Sequence, residues 1–154
     1  MAGILVAVLL VLSVPWVVYN NTRPLLGPDT LLSSSRIDQY FSGGPHVRES
    51  YVAAMRELRD IGCSRIGLSI GGDAAEYPVW VLAGQACGEG QGRIEHIRVE
   101  NESARLRSYA NAPFDPCAIF MVTELPSIPV ALPFNGSSYR LRLRAAPVVL
   151  FVRE

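Results

Sequence analysis

The most distinctive cluster of reactive side chains in this 154-residue sequence is Glu76-Tyr77-Pro78-Val79-Trp80. A carboxylate beside stacking rings suits a sugar site, whereas the plainer reading is a helix start whose rings cover a sheet; the plainer one weighs more. Just upstream, Gly67-x-x-x-Gly71-Gly72-Asp73 follows a strand pattern and precedes a helix, the place where a doubly wound domain binds phosphate. It lacks G-x-G-x-x-G and a Walker lysine, and Asp73 and Glu76 would repel the phosphate. Glycines for a tight turn, followed by an acidic helix cap, account for it better. Asp73, Glu76, Tyr77 and Trp80 are therefore the candidate ligand-binding residues, and no cofactor is implied.

No catalytic set is legible. Ser69 lacks the G-x-S-x-G context, and His96, between Glu95 and Arg98, reads as an exposed strand residue rather than a base. Cys63, Cys87 and Cys117 show no C-x-x-C spacing and no ligand spacing to His46 or His96, so no metal site is expected. In an oxidising compartment one pair can join, and Cys63 with Cys87 is a candidate because both follow helices. Cys117, inside an apolar run, reads as a small core residue. Arg140, Arg142 and Arg144 alternate with leucine, which puts them on one strand face. They are candidates for lipid-headgroup contact, set against the plainer role of a charged edge that blocks aggregation. Asn20, Asn101 and Asn135 each open an N-x-[ST] acceptor, relevant only in a eukaryotic secretory pathway.

The elements that must position these residues follow from periodicity. Tyr51, Ala54, Met55, Leu58 and Ile61 recur at helical spacing over Ser50 to Ile61, with Gly62 as C-cap. Arg65 to Ile70 reads as a strand covered on both sides. The next helix runs to about Ala86 and starts either at Asp73, with Asp73 and Glu76 as a capping box, or at Pro78 as first helical residue. Arg93 to Val99 reads as a half-buried strand, Asn101 caps a short helix toward Leu106, and Pro116 to Val122 suits a central strand. Pro126, Pro129 and Pro133 are expected to break regular structure. Tyr139 to Arg144 and Val148 to Val152 form a C-terminal hairpin around Ala145-Ala146-Pro147. The expected fold is a small three-layer Rossmann-like α/β domain with a C-terminal β-hairpin, over residues 48–154. Residues 23–47, rich in Pro, Gly and Ser, read as a membrane-proximal connector with a short helix at Arg36 to Phe41.

Residues 1–22 explain the apolar composition. Hydrophobic residues make up 49% of the chain and charged residues 18%, yet Ala2 to Val18 carries no charge at all. As a helix, Ala2 to Tyr19 rises roughly 27 Å, close to the ~30 Å hydrocarbon layer. Trp16 and Tyr19 fall at one end, as interfacial rings do. A cleaved signal peptide would need a basic start and a small-residue cleavage site, and neither is present. The expectation is a transmembrane helix whose partner is the lipid bilayer. Arg23 and Arg36 vote weakly for a cytoplasmic domain, offset by Asp29 and Asp38. A span beginning almost at residue 1 also looks like the last helix of a longer membrane protein. The formal charge of +0 argues against a nucleic-acid binder, whose affinity needs a basic surface. All 14 basic residues are arginine, which we read as coding bias of a GC-rich genome.

Taken in order, Pro15-Trp16-Val17-Val18-Tyr19-Asn20-Asn21-Thr22-Arg23-Pro24-Leu25-Leu26, Arg36-Ile37-Asp38-Gln39-Tyr40-Phe41, Tyr51-Val52-Ala53-Ala54, Gly62-Cys63-Ser64-Arg65-Ile66-Gly67-Leu68, Gly72-Asp73, Glu76-Tyr77-Pro78-Val79-Trp80-Val81-Leu82 and Arg93-Ile94-Glu95-His96-Ile97 carry a likeness. The sequence resembles the C-terminal end of bacterial multi-spanning glycosyltransferases of the family-39-like, GT-C type. These are relatives of the polyprenyl-phosphate-mannose protein mannosyltransferases. The resemblance implies a parent enzyme that moves a sugar from a polyprenyl-phosphate donor outside the cytoplasm, using a carboxylate in a loop that this sequence does not contain. No catalytic residue carries over. It implies an extracytoplasmic, inactive accessory domain that rests on the missing membrane portion of the same protein and assists acceptor binding. An anchored binding module without enzymatic activity is the alternative.

Overall fold

The computed structural model describes residues 2–19, 25–26, 30, 32–71, 74–88, 92–99 and 114–154. The chain divides into two units, Met1–Arg48 and Glu49–Glu154. In the first, α1 (Ala2–Val18) is followed by α2 (Arg36–Tyr40) and a 3₁₀ turn at Pro45–Val47. Residues 2–17 of α1 are all exposed, so among the described residues no face of that stretch is buried. Its one hydroxyl, on Ser13, donates to the Leu10 carbonyl at 2.8 Å, which leaves the helix surface without an unsatisfied polar side-chain group there. At 17 residues α1 rises about 26 Å, less than the sequence expectation, and among the described residues no helix is long and apolar enough to cross a membrane. Ser35 caps α2 by accepting from the Asp38 amide, and Arg48 pairs with Asp38 at 3.0 Å.

The second unit opens with α3 (Arg48–Asp60), whose buried face is Tyr51, Ala54, Met55 and Leu58, as its periodicity predicts. Gly62, with a φ of +65°, ends it: its N–H donates to the Arg59 carbonyl and that of Cys63 to the Leu58 carbonyl, a Schellman closure only glycine adopts without strain. Then come β1 (Arg65–Ile70), α4 (Tyr77–Cys87), β2 (Arg93–His96), β3 (Ala118–Val122), β4 (Ala131–Phe134), β5 (Ser137–Ala145) and β6 (Val148–Arg153). They form one six-stranded sheet in the order β2-β1-β3-β6-β5-β4; β2, β1 and β3 are parallel and the rest antiparallel.

One face carries Ile66, Leu68, Phe120 and Leu150, all fully buried, with Tyr51 of α3 edge-on to Phe120 at 5.4 Å. The other face has its own core of Ile119, Met121, Tyr139, Val149 and Phe151, closed by Ile97, Phe114 and Leu132. Gly67 lets that closure come close, since a Cβ there would lie 3.2 Å from Ile97 and Pro116. Among the described residues this second core is strand and connection rather than helix; the short helix expected from Asn101 lies outside them. The buried Tyr139 hydroxyl donates to the Pro116 carbonyl at 2.9 Å. Tyr139→Phe orphans that carbonyl and is expected to lower stability by about 1–2 kcal/mol, read by denaturant titration.

One expectation about the second half is corrected. Pro133 does not break regular structure: it sits in β4, at the edge of the sheet, where its missing N–H leaves no ladder bond unmade. The β4–β5 turn is Asn135-Gly136, with φ of +48° and +77°, the pair that a tight primed hairpin turn selects. The Asn135 side-chain amide donates to the Phe114 carbonyl at 3.2 Å, so this acceptor asparagine is engaged within the fold; Asn20 and Asn101 lie outside the described residues. The C-terminal hairpin forms as expected, with a cis Ala146–Pro147 bond.

Candidate functional site

Two features meet where β1, β2 and β3 end. The first is built on the start of α4. The helix starts at Tyr77 with Pro78 in its opening turn, one residue before the later of the two expected starts. Glu76 stands at the N-cap position but makes no capping bond. Its Oε1 instead accepts from Trp80 Nε1 at 2.8 Å, one helical turn away, and lies 2.8 Å from His96 Nε2. The start expected at Asp73 is not adopted, since Glu76 is the N-cap of α4; Asp73 itself lies outside the described residues.

His96 reaches Glu76 because of register. Leu68 of β1 pairs with His96 of β2, and parallel partners share a face, so the imidazole ends β2 on the Leu68 side. The hydrogen bond from His96, followed by that from Trp80, holds the Glu76 carboxyl below its ordinary value of 4.5. Because the folded-state pKa is depressed, the pairing is complete above the unfolded value and is lost as pH falls through the lower folded one. In a pH titration followed by NMR, the Trp80 indole N–H resonance is expected to show a step centred below pH 4.5. Glu76→Gln is expected to abolish that step.

Of the four candidate ligand-binding residues, the structure brings Glu76 and Trp80 into direct contact. Tyr77 is 62% exposed and Trp80 43% exposed, so both rings present area to solvent. A carboxylate, an imidazole and aromatic faces can hold a hydroxylated or cationic ligand. Among the described residues no group of three metal-ligating side chains comes together. His96 was legible in the sequence only as an exposed strand residue. Its position at the end of a parallel strand, where open α/β sheets gather ligand groups, is the signal that marks it.

The second feature is a cleft of about 550 Å³ lined by residues 69–71 at the end of β1, 96–99 at the end of β2, and 121–123 with 125 at the end of β3. His96 belongs to both features. Arg98, also in the lining, has a φ of +55°, in the left-handed region that side chains rarely adopt.

The three arginines of β5 do not share a face, contrary to the strict alternation. Leu141 pairs with Phe151 but Leu143 with Leu150, so one extra residue is inserted between them. A single-residue slip reverses the side chains beyond it. Arg140 opposes Val152 and pairs with Glu154 at 2.8 Å, Arg142 pairs with Glu57 of α3 at 2.9 Å, and Arg144 opposes Val149 and donates to the Pro126 carbonyl at 3.3 Å. They are dispersed over the strand and engaged within the protein.

The cysteines are also corrected. Cys63 and Cys117 form a disulfide, with Cα atoms 5.7 Å apart, and Cys87 is free. The pairing of Ile66 with Ala118 brings the chain before β1 alongside the chain before β3, which is why Cys117 is cross-linked rather than a free core residue. Cys87 does lie at this edge, its thiol donating to the Cys63 carbonyl at 3.3 Å, and burial pushes its pKa up. Compared with known protein families, with curated proteins and with solved structures, the chain finds no match.

Proposed function

We propose that the chain is a membrane-anchored, extracytoplasmic accessory domain of a bacterial membrane glycosyltransferase that uses a polyprenyl-phosphate sugar donor, itself without transferase activity. The observation that carries the reading is the Cys63–Cys117 disulfide, because such bonds form and persist outside the reducing cytoplasm. It favours the outer side over the weak arginine vote for the inner one. The exposed apolar surface of α1 supports lipid as its surroundings, since apolar surface of this extent marks a membrane or partner contact. The order of motifs from Pro15 to Ile97 supports the glycosyltransferase parent, and the β1-α4-β2 crossover supports a Rossmann-like domain. Glu76, Tyr77 and Trp80 supply the carboxylate and rings with which such a domain assists acceptor binding.

Sidedness is tested by fusing alkaline phosphatase, which is active only where its own disulfides form, after Glu154 and expressing the full chain in a bacterial host. High phosphatase activity in intact cells is the expected result. An inactive fusion of normal abundance contradicts the placement.

A further inference from the structure

The cleft at the ends of β1, β2 and β3 has the position and lining of a binding site in its own right. The chain leaves β1 for β2 on one side and later returns to β3 on the other. Neighbouring β1 and β3 thus send the chain in opposite directions, which opens a crevice beyond their carboxyl ends, the place where ligands bind in sheets of this kind. Its volume of about 550 Å³ is that of a small-molecule site.

Its chemistry is one-sided. Arg98, Ser69 and Thr123 offer a guanidinium and two hydroxyls, Ile97, Met121 and Leu125 supply apolar walls, and among the described residues the lining contains no carboxylate. Arg98 has no ion pair or side-chain hydrogen bond among the described residues. It is also held at a φ of +55°, a conformation that any side chain makes costly and that glycine would adopt freely. A cation without a partner among the described residues, kept in a strained conformation in a cleft lining, has a reason to be there if a ligand anion completes it.

We propose that this cleft binds a small organic anion, with its phosphate or carboxylate group held by Arg98 and the hydroxyls of Ser69 and Thr123, and its apolar body against Ile97, Met121 and Leu125. A planar guanidinium recognises either anion by paired N–H donors, and the walls add apolar contact that an inorganic ion cannot use. The inference rests on the Glu49–Glu154 unit alone and is independent of membrane placement.

The test uses the full chain in uncharged detergent micelles, with phenyl phosphate, benzoate, inorganic phosphate and benzyl alcohol as probes. Binding is followed by the amide resonances of Ser69, Arg98 and Thr123. Phenyl phosphate or benzoate is expected to shift these amides saturably, and at least about tenfold more tightly than benzyl alcohol or inorganic phosphate. The stronger of the two organic anions identifies which charged group the cleft prefers. Arg98→Gly removes the cation while relieving the backbone, so it is expected to melt no lower than the parent and yet to bind at least about tenfold more weakly. Arg98→Lys, which keeps the charge, is expected to retain part of the affinity. Equal binding of benzyl alcohol, unchanged affinity in a folded Arg98→Gly chain, or no saturable shift with either organic anion overturns the proposal.

Discussion

Replacing Leu9 and Val11 of α1 together with aspartate is expected to move the chain from the membrane fraction to the aqueous one. Both residues are exposed, at 59% and 70%, so neither supports the fold of the remainder and a lost anchor is not confused with a lost core. Each charge at the centre of a lipid-embedded helix costs about 3 kcal/mol, and two cost about 6 kcal/mol, roughly a 10⁴-fold change in partition. A Leu9→Ala, Val11→Ala pair keeps the helix apolar and is expected to stay with the membrane. Flotation of lysates on a density gradient reads the difference. A parent chain that remains in the aqueous fraction, or a double aspartate variant that still floats, contradicts an anchoring role for α1.

The disulfide carries the second large effect. Cys63 and Cys117 are 54 residues apart, and closing a loop of that length removes enough freedom from the unfolded chain to be worth about 4 kcal/mol. Cys63→Ser with Cys117→Ser, or reduction of the parent, is expected to lower the melting temperature of the α/β unit by on the order of 20 °C. Cys87→Ser is the control: it removes a half-buried thiol and a single weak bond to the Cys63 carbonyl, and is expected to leave most of the stability in place. If the paired variant melts with the parent, the cross-link is not part of the native fold. If Cys87→Ser causes the larger loss, the pairing itself is wrong.

These two effects sit at opposite ends of what the sequence makes legible. The helix of α3 was readable because one side of it is buried and the other is wet, which imprints a 3.6-residue period on Tyr51, Ala54, Met55 and Leu58. The central strands were readable because burial on both faces leaves an unbroken apolar run, as in Ala118 to Val122. What is decided by strand neighbours was not readable. The Cys63–Cys117 bond depends on β3 lying beside β1, a contact between segments some fifty residues apart that no local pattern encodes. His96 meets Glu76 for the same reason, through the register of β2 on β1.

Local rules also failed where one residue changes their outcome. Tyr139 to Arg144 alternates strictly, yet the inserted residue between Leu141 and Leu143 sends Arg144 to the face opposite Arg140. Pro133 looked like a breaker because proline is expelled from central strands, but β4 is an edge, and an edge strand tolerates it. At the candidate site, the helix start near Pro78 and the Glu76–Trp80 spacing were visible along one segment, and their contact follows from a single turn of helix. The cleft was not visible, because its lining comes from three strands that meet only after folding.

The central claim is an anchored domain on the oxidising side of a membrane, and counting its thiols where it resides tests that most directly. Membranes from cells expressing the full chain are solubilised in denaturant and alkylated with a mass-tagged maleimide, before and after reduction. The account predicts that the chain is found in the membrane fraction with one reactive thiol, Cys87, before reduction and three after it. A chain in the aqueous fraction, with all three cysteines alkylated before any reductant is added, would contradict it.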